Sequence, residues 1–414
     1  MNRTLLTGNV AAAWGARLAA VDYIPAFPIT PQTEIIETLA GWIDTGDLDA
    51  RLVTLESEHS MITAAAAAAA TGVRTFTATS SQGLLHAMEM IFTVAGWRVP
   101  FVMVNVSRAL ASPITLEPDH TDVLAARDAG WIQIHCATCQ EVLDNILIAY
   151  RLSEDPRVRL PVIVNQDGFH LSFTREPVEI PDANAVAAFL PPYAAGGSAF
   201  RGGQSVSQGV AVLGGTPYSY FRYQAHLALQ ESLAVYEAIA EEFKQAFGRH
   251  WPAIDAYRAG DAQIVFFMIG AFATKAKDAV DRLREDGWRI GLVRPRLIRP
   301  FPEAALRRLL LGMRAVIVVD QNLSMGKGGV LHAELASALA GQPNMPMLVP
   351  FIGALGGRDI ARDEFFAMAR TAKEAMEAGA APPPRLLFRA RELREVRRLQ
   401  AIATVERSKS GATP

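Results

Sequence analysis

Thr54 to Pro113 reads TLESEHSMITAAAAAAATGVRTFTATSSQGLLHAMEMIFTVAGWRVPFVMVNVSRALASP, and its alternation decides the fold. Ser57 to Thr71 is a stretch of small residues with alanine at every position from 64 to 70, which spells helix. RTFTATSS, 74–81, is rich in β-branched and aromatic residues and predicts a strand, with a second helix from Gly83 onward. VPFVMVNVS, 99–107, is an unbroken apolar run. Such a run suits a strand covered by helices on both faces, as in a parallel sheet.

Outward from this stretch the same order repeats. Residues 7–20 predict a helix. A strand-like segment then enters Phe27-Pro28-Ile29-Thr30-Pro31, where the flanking prolines make a rigid loop. Residues 32–43 predict a helix with Thr33 as a candidate cap, and RLVTLE a short strand ending on a carboxylate. A helix over 139–153 and the strand LPVIVNQD close the unit. A β-α order repeated this way predicts an open α/β sheet. The middle is richer in glycine, proline and tyrosine, then helical over 224–247, and reads as an extended helical linker. A second α/β unit begins near Gln263. Its signals are the strand IVFFMIG, a helix over 273–286, and WRIGLVRPRLIRPFP as one strand with a proline-rich exit. A helix over 303–312, the strand RAVIVVDQN and a helix opened by Gly326, Gly328 and Gly329 follow. The expected fold class is α/β, two open α/β domains at 1–185 and 261–385. A linker at 186–260 joins them, and a C-terminal helix and tail at 386–414 ends in a frayed SKSGATP.

The bulk numbers agree with a globular chain: 414 residues, 50% hydrophobic and 20% charged. A net charge of −2 carries no polyanion signal, so nucleic acid is not an expected partner. The N-terminus lacks the pattern of a signal peptide, no membrane span is expected, and two cysteines fit a reducing cytoplasm. Those cysteines, Cys136 and Cys139, form a CxxC. One such pair is half a zinc or iron–sulfur site, with no second pair to complete it, so both read as packing residues and no metal site is expected.

The Thr54–Pro113 stretch, together with FPITPQTEIIETLA upstream, resembles the first domain of the pyruvate:ferredoxin oxidoreductase family. The resemblance resumes in RDAGWIQI, LPVIVNQDGFHLSFTREPVEIPD, FRYQAHLALQ and VVDQNLSMGKGG, and so covers nearly the whole chain. It implies a pyrimidine-type thiamine-diphosphate domain followed by a domain like the C-terminal one of transketolase. It implies also that Glu58 is the cofactor carboxyl. A carboxyl hydrogen-bonded to the 1′-nitrogen of the aminopyrimidine favours the imino form that the chemistry uses. The bland alternative for Glu58 is an acid at a helix N-terminus, stabilised by the macrodipole; Glu56, two residues away, should face elsewhere.

The resemblance further assigns Arg108, in Ser107-Arg108-Ala109-Leu110, to the substrate carboxylate, which a guanidinium binds bidentately. The alternative for Arg108 is a surface ion pair. Thr30 would assist from the proline loop, with Pro28 and Ile29 lining the cofactor; plain turn chemistry is the alternative. Thr79, Ser80, Ser81 and Gln82 of the TSSQG loop would line the cofactor pocket, against an ordinary helix cap.

In thiamine enzymes a GDG motif and an asparagine hold the metal on the diphosphate. The nearest string here is Gln166-Asp167-Gly168. Mg2+ and the pyrophosphate half are therefore expected on a beta subunit. The electron-carrying iron–sulfur clusters are expected on gamma and ferredoxin-like subunits, with a flavin subunit as a further partner and coenzyme A as co-substrate. Ile114-Thr115-Leu116-Glu117-Pro118-Asp119-His120-Thr121-Asp122 departs from the pyruvate pattern. That favours a larger 2-oxoacid, an aryl one such as phenylglyoxylate, with pyruvate as the alternative and a non-catalytic scaffold as a further one. No arginine joins Thr30 in its loop, which argues against the dianion oxalate.

Overall fold

The computed structural model describes residues 2–195, 199–203 and 206–409. Part of the GGSAFRGGQ segment and the last five residues of SKSGATP lie outside the described residues. The first half runs β1 (Asn2–Thr7), α1 (Gly8–Leu18), β2 (Tyr23–Ala26), α2 (Thr33–Asp44), β3 (Arg51–Thr54) and α3 (Glu58–Ala70). It continues with β4 (Phe76–Thr79), α4 (Ser81–His86), α5 (Met88–Trp97), β5 (Val102–Ser107), α6 (Thr121–Ala125), β6 (Ile132–His135), α7 (Cys139–Ser153), β7 (Val162–Asp167) and β8 (Arg175–Ile180). The strands β6, β7, β5 and β4 are parallel neighbours in that order. A parallel pair β2–β3 continues the line past β4 through the bridge Tyr23–Thr75. The β5 strand is buried at every position, Asn105 and Ser107 included, as a strand covered on both faces requires. Thr33 does not cap α2: the cap position falls on Gln32, which makes no side-chain cap bond. Ser57 does cap α3, accepting the Ser60 N–H. The strand pair β1–β8 is antiparallel and was not foreseen, because its pattern is half exposed and charged.

Then come α8 (Ala183–Phe189) and α9 (Gly215–Phe247). The long helix starts at Gly215 rather than 224. Its second half is not a spacer: Val235, Tyr236, Ile239, Ala240, Phe243 and Phe247 are buried in the core of the first half. The Tyr236 hydroxyl lies 3.1 Å from Asn145 Oδ1 and donates to Trp251 O at 2.9 Å.

The second half runs β9 (Ile254–Tyr257), β10 (Ile264–Phe267), α10 (Phe272–Glu285), β11 (Ile290–Pro295), β12 (Leu297–Arg299), α11 (Glu303–Leu310), β13 (Ala315–Asp320), α12 (Val330–Leu339), β14 (Met347–Ile352), α13 (Arg362–Ala378), β15 (Arg385–Leu386) and α14 (Ala390–Lys409). Its sheet has the order β15-β14-β13-β10-β11-β9, parallel but for the antiparallel edge strand β9. The segment WRIGLVRPRLIRPFP is two strands, not one: β11 stays in this sheet, while β12 crosses and pairs antiparallel with β6 of the first. One core cluster draws on both halves, with Met61, Ile91 and Trp131 from the first and Phe267, Val293 and Leu331 from the second. No helix among the described residues is long and apolar enough to cross a membrane.

Candidate active site

Adjacent parallel strands deliver the candidate residues. The Phe27–Pro31 loop leaves the C-terminal end of β2, Glu58 follows β3, the TSSQG loop follows β4, and Arg108 follows β5. In open α/β sheets ligands bind at the carboxyl ends of the strands, because loops and helix N-termini converge there.

Glu58 is the first residue of α3 and its carboxylate is 7% exposed. It abuts the TSSQG loop so closely that a Cβ at Gly83 would stand 2.5 Å from Glu58 Oε1 and 2.7 Å from Thr79 Oγ1. Only glycine leaves that carboxylate room. Its Oε2 is 3.2 Å from His86 Nδ1, an exposed imidazole that no sequence signal singled out. Glu56 faces elsewhere, exposed and accepting the Ser60 hydroxyl at 2.5 Å. Two hydroxyls of the TSSQG loop, Thr79 Oγ1, which shares the Gly83 wall with the carboxylate, and Ser80 Oγ, are buried with no hydrogen-bond partner among the described residues. Ser80 occupies the cap position of α4 yet makes no cap bond, so the ordinary-cap reading fails there. Buried polar groups are nearly always paired in finished sites. A carboxylate, two orphaned hydroxyls and a glycine-cleared wall fit the polar edge of an aminopyrimidine, so these residues can hold one end of a thiamine cofactor.

Ser81 and Gln82 turn toward each other, Ser81 Oγ lying 2.6 Å from Gln82 Oε1 and 2.8 Å from Ala109 O. That contact brings the TSSQG loop against the Arg108 loop. Arg108 Nε donates to Thr115 O at 2.8 Å and Nη1 to Thr30 O at 3.1 Å. Among the described residues it has no carboxylate partner, so the surface ion pair is not its role. Thr30 takes part through its carbonyl; Pro28 is exposed and Ile29 half-buried in the same loop, which Gln32 Nε2 braces by donating to Phe27 O at 3.0 Å. Polar contacts join Gln82, Ser81 and the Arg108 loop to Thr30, while Glu58 and Thr79 meet around Gly83 of the same TSSQG loop.

Beneath this edge lies a buried polar layer the sequence did not reveal. Asp122 accepts the Ser81 and Arg108 N–H groups and Asn105 Nδ2. Burial pushes its carboxyl up to about 6, against the pull of those donors. His120 Nε2 is 2.7 Å from Asp167 Oδ1, and Asp167 Oδ2 accepts the Ala271 N–H of the second half at 2.8 Å. The His135 ring stands edge-on to His120; burial and the His120 charge bring it down to about 3. Asp122 and His120 fall in the loop read above only for its departure from the pyruvate pattern. Cys136 and Cys139 are both wholly buried, and burial raises both thiols. They sit in the core of the first half, Cys139 Sγ 3.4 Å from Thr174 O.

The family described as "Pyruvate flavodoxin/ferredoxin oxidoreductase, thiamine diP-bdg" matches residues 14–242, and "Pyruvate:ferredoxin oxidoreductase core domain II" matches 262–365. The chain is 40% identical over 382 residues to the pyruvate synthase subunit PorA of Pyrococcus abyssi, covering 92% of this chain and 96% of that one. It is 38% identical over 380 residues to the ketoisovalerate oxidoreductase subunit VorA of Pyrococcus horikoshii, covering 91% and 95%. A solved 2-oxoglutarate:ferredoxin oxidoreductase from Magnetococcus marinus, with 2-oxoglutarate, coenzyme A and succinyl-CoA bound, shares the fold at a TM-score of 0.70 and 20% identity. The match covers 90% of this chain and 65% of that structure's chain. Identity at this level over nine-tenths of the sequence, with one family model spanning more than half of it, places the chain: it belongs to the pyruvate:ferredoxin oxidoreductase family, among the alpha subunits of 2-oxoacid:ferredoxin oxidoreductases.

Proposed function

We propose that the chain is the alpha subunit of a complex that oxidatively decarboxylates a 2-oxoacid and passes the acyl group to coenzyme A, with pyruvate as substrate. The observation that carries this is the buried Glu58 carboxylate, lodged against Gly83 beside the Thr79 hydroxyl, which has no partner among the described residues. Relatives named for pyruvate and ketoisovalerate favour an aliphatic 2-oxoacid over the aryl one that the Ile114–Asp122 loop suggested.

Thiamine diphosphate, when bound, supplies the nucleophilic carbon and the electron sink for loss of carbon dioxide. Glu58 holds the aminopyrimidine edge and carries the proton it shares with that ring. The unpartnered hydroxyls of Thr79 and Ser80 would be the groups available to its remaining polar atoms. Arg108, held through Nε and Nη1 by two main-chain carbonyls, keeps its remaining N–H groups for the substrate carboxylate. With thiamine diphosphate in place the complex would release carbon dioxide, pass two electrons to iron–sulfur clusters on partner subunits and transfer the acyl group to coenzyme A. The clusters, Mg2+ and the pyrophosphate half of the site belong to partner subunits, in a cytoplasmic assembly.

One observation favours a second substrate reading. Ile114 is 79% and Leu116 49% exposed on either side of Thr115, whose carbonyl holds Arg108. An apolar ridge at the clamp suits a branched aliphatic side chain. A single panel decides: the complex is purified without oxygen, then given coenzyme A, a viologen dye and each 2-oxoacid in turn. Pyruvate should give the highest kcat/KM; 3-methyl-2-oxobutanoate doing so would support the second reading, and phenylglyoxylate doing so would restore the aryl one. Glu58→Gln should abolish dye reduction with the complex still assembled, and retained turnover in that variant would sink the assignment.

A further inference from the structure

Asp122 ends the Asp119-His120-Thr121-Asp122 element, and the sequence reading gave it no role. It lies in α6 and is wholly buried. Its Oδ2 accepts the Ser81 N–H at 3.0 Å, the Arg108 N–H at 3.1 Å and Asn105 Nδ2 at 3.2 Å, while Oδ1 takes the Val123 N–H at 2.7 Å. Ser81 belongs to the loop beside Glu58, and Arg108 is the carboxylate clamp. These are main-chain contacts, so the carboxylate sets the backbone of both loops rather than one rotamer. Ser81 adopts a φ of +49°, which an L side chain rarely takes without support. The third donor is itself fixed, since Asn105 Nδ2 also reaches Asn165 Oδ1 at 2.9 Å, and Ser107 Oγ donates to that same oxygen at 2.8 Å.

We infer that Asp122 is a positioning residue for the reaction: one carboxylate oxygen, clamping the main chain at Ser81 and at Arg108, fixes the distance between the cofactor cradle and the substrate clamp. The inference rests on the proposed function, because only that reading makes the distance matter. Glycine or alanine at 122 would leave two loop N–H groups buried and unpaired. Asparagine keeps the shape, but its amide places a donor against donors in either orientation.

The test uses the assembled complex with its cofactor. Asp122→Asn, Asp122→Ala, Asp144→Asn and Glu58→Gln are compared for KM of the 2-oxoacid, kcat, cofactor content and Tm. Asp144 is a buried carboxylate that pairs with Arg249 and Trp251, away from the site, and controls for general destabilisation. Asp122→Asn should raise KM roughly tenfold with a smaller fall in kcat, and Asp122→Ala should lower kcat/KM roughly a hundredfold. Asp144→Asn should lower Tm and leave KM within about twofold. If Asp122→Ala does not assemble, the isosteric asparagine variant decides. Wild-type KM in Asp122→Asn, or a KM rise matched by Asp144→Asn, would overturn the role. Turnover in Glu58→Gln would instead overturn the reading beneath it, so the two failures are distinguishable.

Discussion

At the scale of single residues, the site is built on one missing side chain. A Cβ at Gly83 would lie 2.5 Å from Glu58 Oε1, well inside contact distance, so Gly83→Ala must push the carboxylate aside. Gly83 lies within α4, where alanine is preferred over glycine by about 1 kcal/mol, and that preference offsets part of the crowding. Gly83→Ala should therefore lower kcat by about a hundredfold while Tm moves little, because a shift of about 1 Å at a catalytic group is that costly. Steady-state rates and a thermal melt on the same preparation check this; full activity would mean that the carboxylate's fit against residue 83 is incidental. Glu58 and Arg108 were singled out in the sequence by the family resemblance, because the residues alone left a helix N-terminal acid and a surface ion pair as competing readings. Asp122 was not legible. Its work is done on main-chain groups of residues 81 and 108, and no periodicity or composition reports which loops face each other across a sheet end.

At the scale of elements, α6 is tied between the two sheets by His120, which precedes it. The imidazole meets Asp167 at the end of β7, Asp167 also takes the Ala271 N–H before α10, and the His120 N–H donates to Gln321 O at 2.8 Å after β13. Burial alone would lower the His120 imidazolium, but the Asp167 carboxylate outweighs it and raises it above the ordinary 6.5. Burial alone would raise Asp167, and the His120 charge brings it below the ordinary 3.8. The pair's stabilisation is therefore complete between those two ordinary values. It is lost as pH climbs through the raised His120 value and, on the acid side, as pH falls through the lowered Asp167 value. Wild type minus His120→Gln should show a stability gap of about 2 kcal/mol in that window, narrowing toward both ends. Denaturant unfolding at several pH values measures it, and a gap that widens on the alkaline side would refute the charged pair. The strands and helices themselves were mostly legible, since apolar runs at β5, β10 and β13 have one physical meaning. The strand β12 was not. WRIGLVRPRLIRPFP carries continuous strand character, and nothing in its pattern says that Leu297 leaves one sheet for the other.

At the scale of the whole molecule, the two halves are a single packed body, and the reason is partly ionic. Arg294 and Arg296, at the end of β11 and just past it, are each 1% exposed and both reach Glu141 in α7 of the first half, at 2.7 and 3.4 Å. Burial alone would raise Glu141, yet the two guanidiniums hold it below the usual carboxylate range. Sequence reading treated those arginines as part of a strand and its exit, because burial of a charge can be recognised only once its partner is placed. Breaking such a pair from one side leaves charge in a low-dielectric interior without its counter-charge, which is far costlier than never having had the pair. Asp255 lies 3.3 Å from Arg294 and compensates one guanidinium in part; Arg296 has no second carboxylate within ion-pair distance among the described residues. Glu141→Ala should accordingly destabilise the chain by about 3–5 kcal/mol, toward the lower end because of Asp255. In denaturant unfolding the midpoint should drop with the slope unchanged, since the shared core keeps the halves unfolding together. A split into two transitions would show instead that the ion pairs, rather than the apolar contact of Met61, Ile91 and Trp131 with Phe267, Val293 and Leu331, hold the halves as one unit.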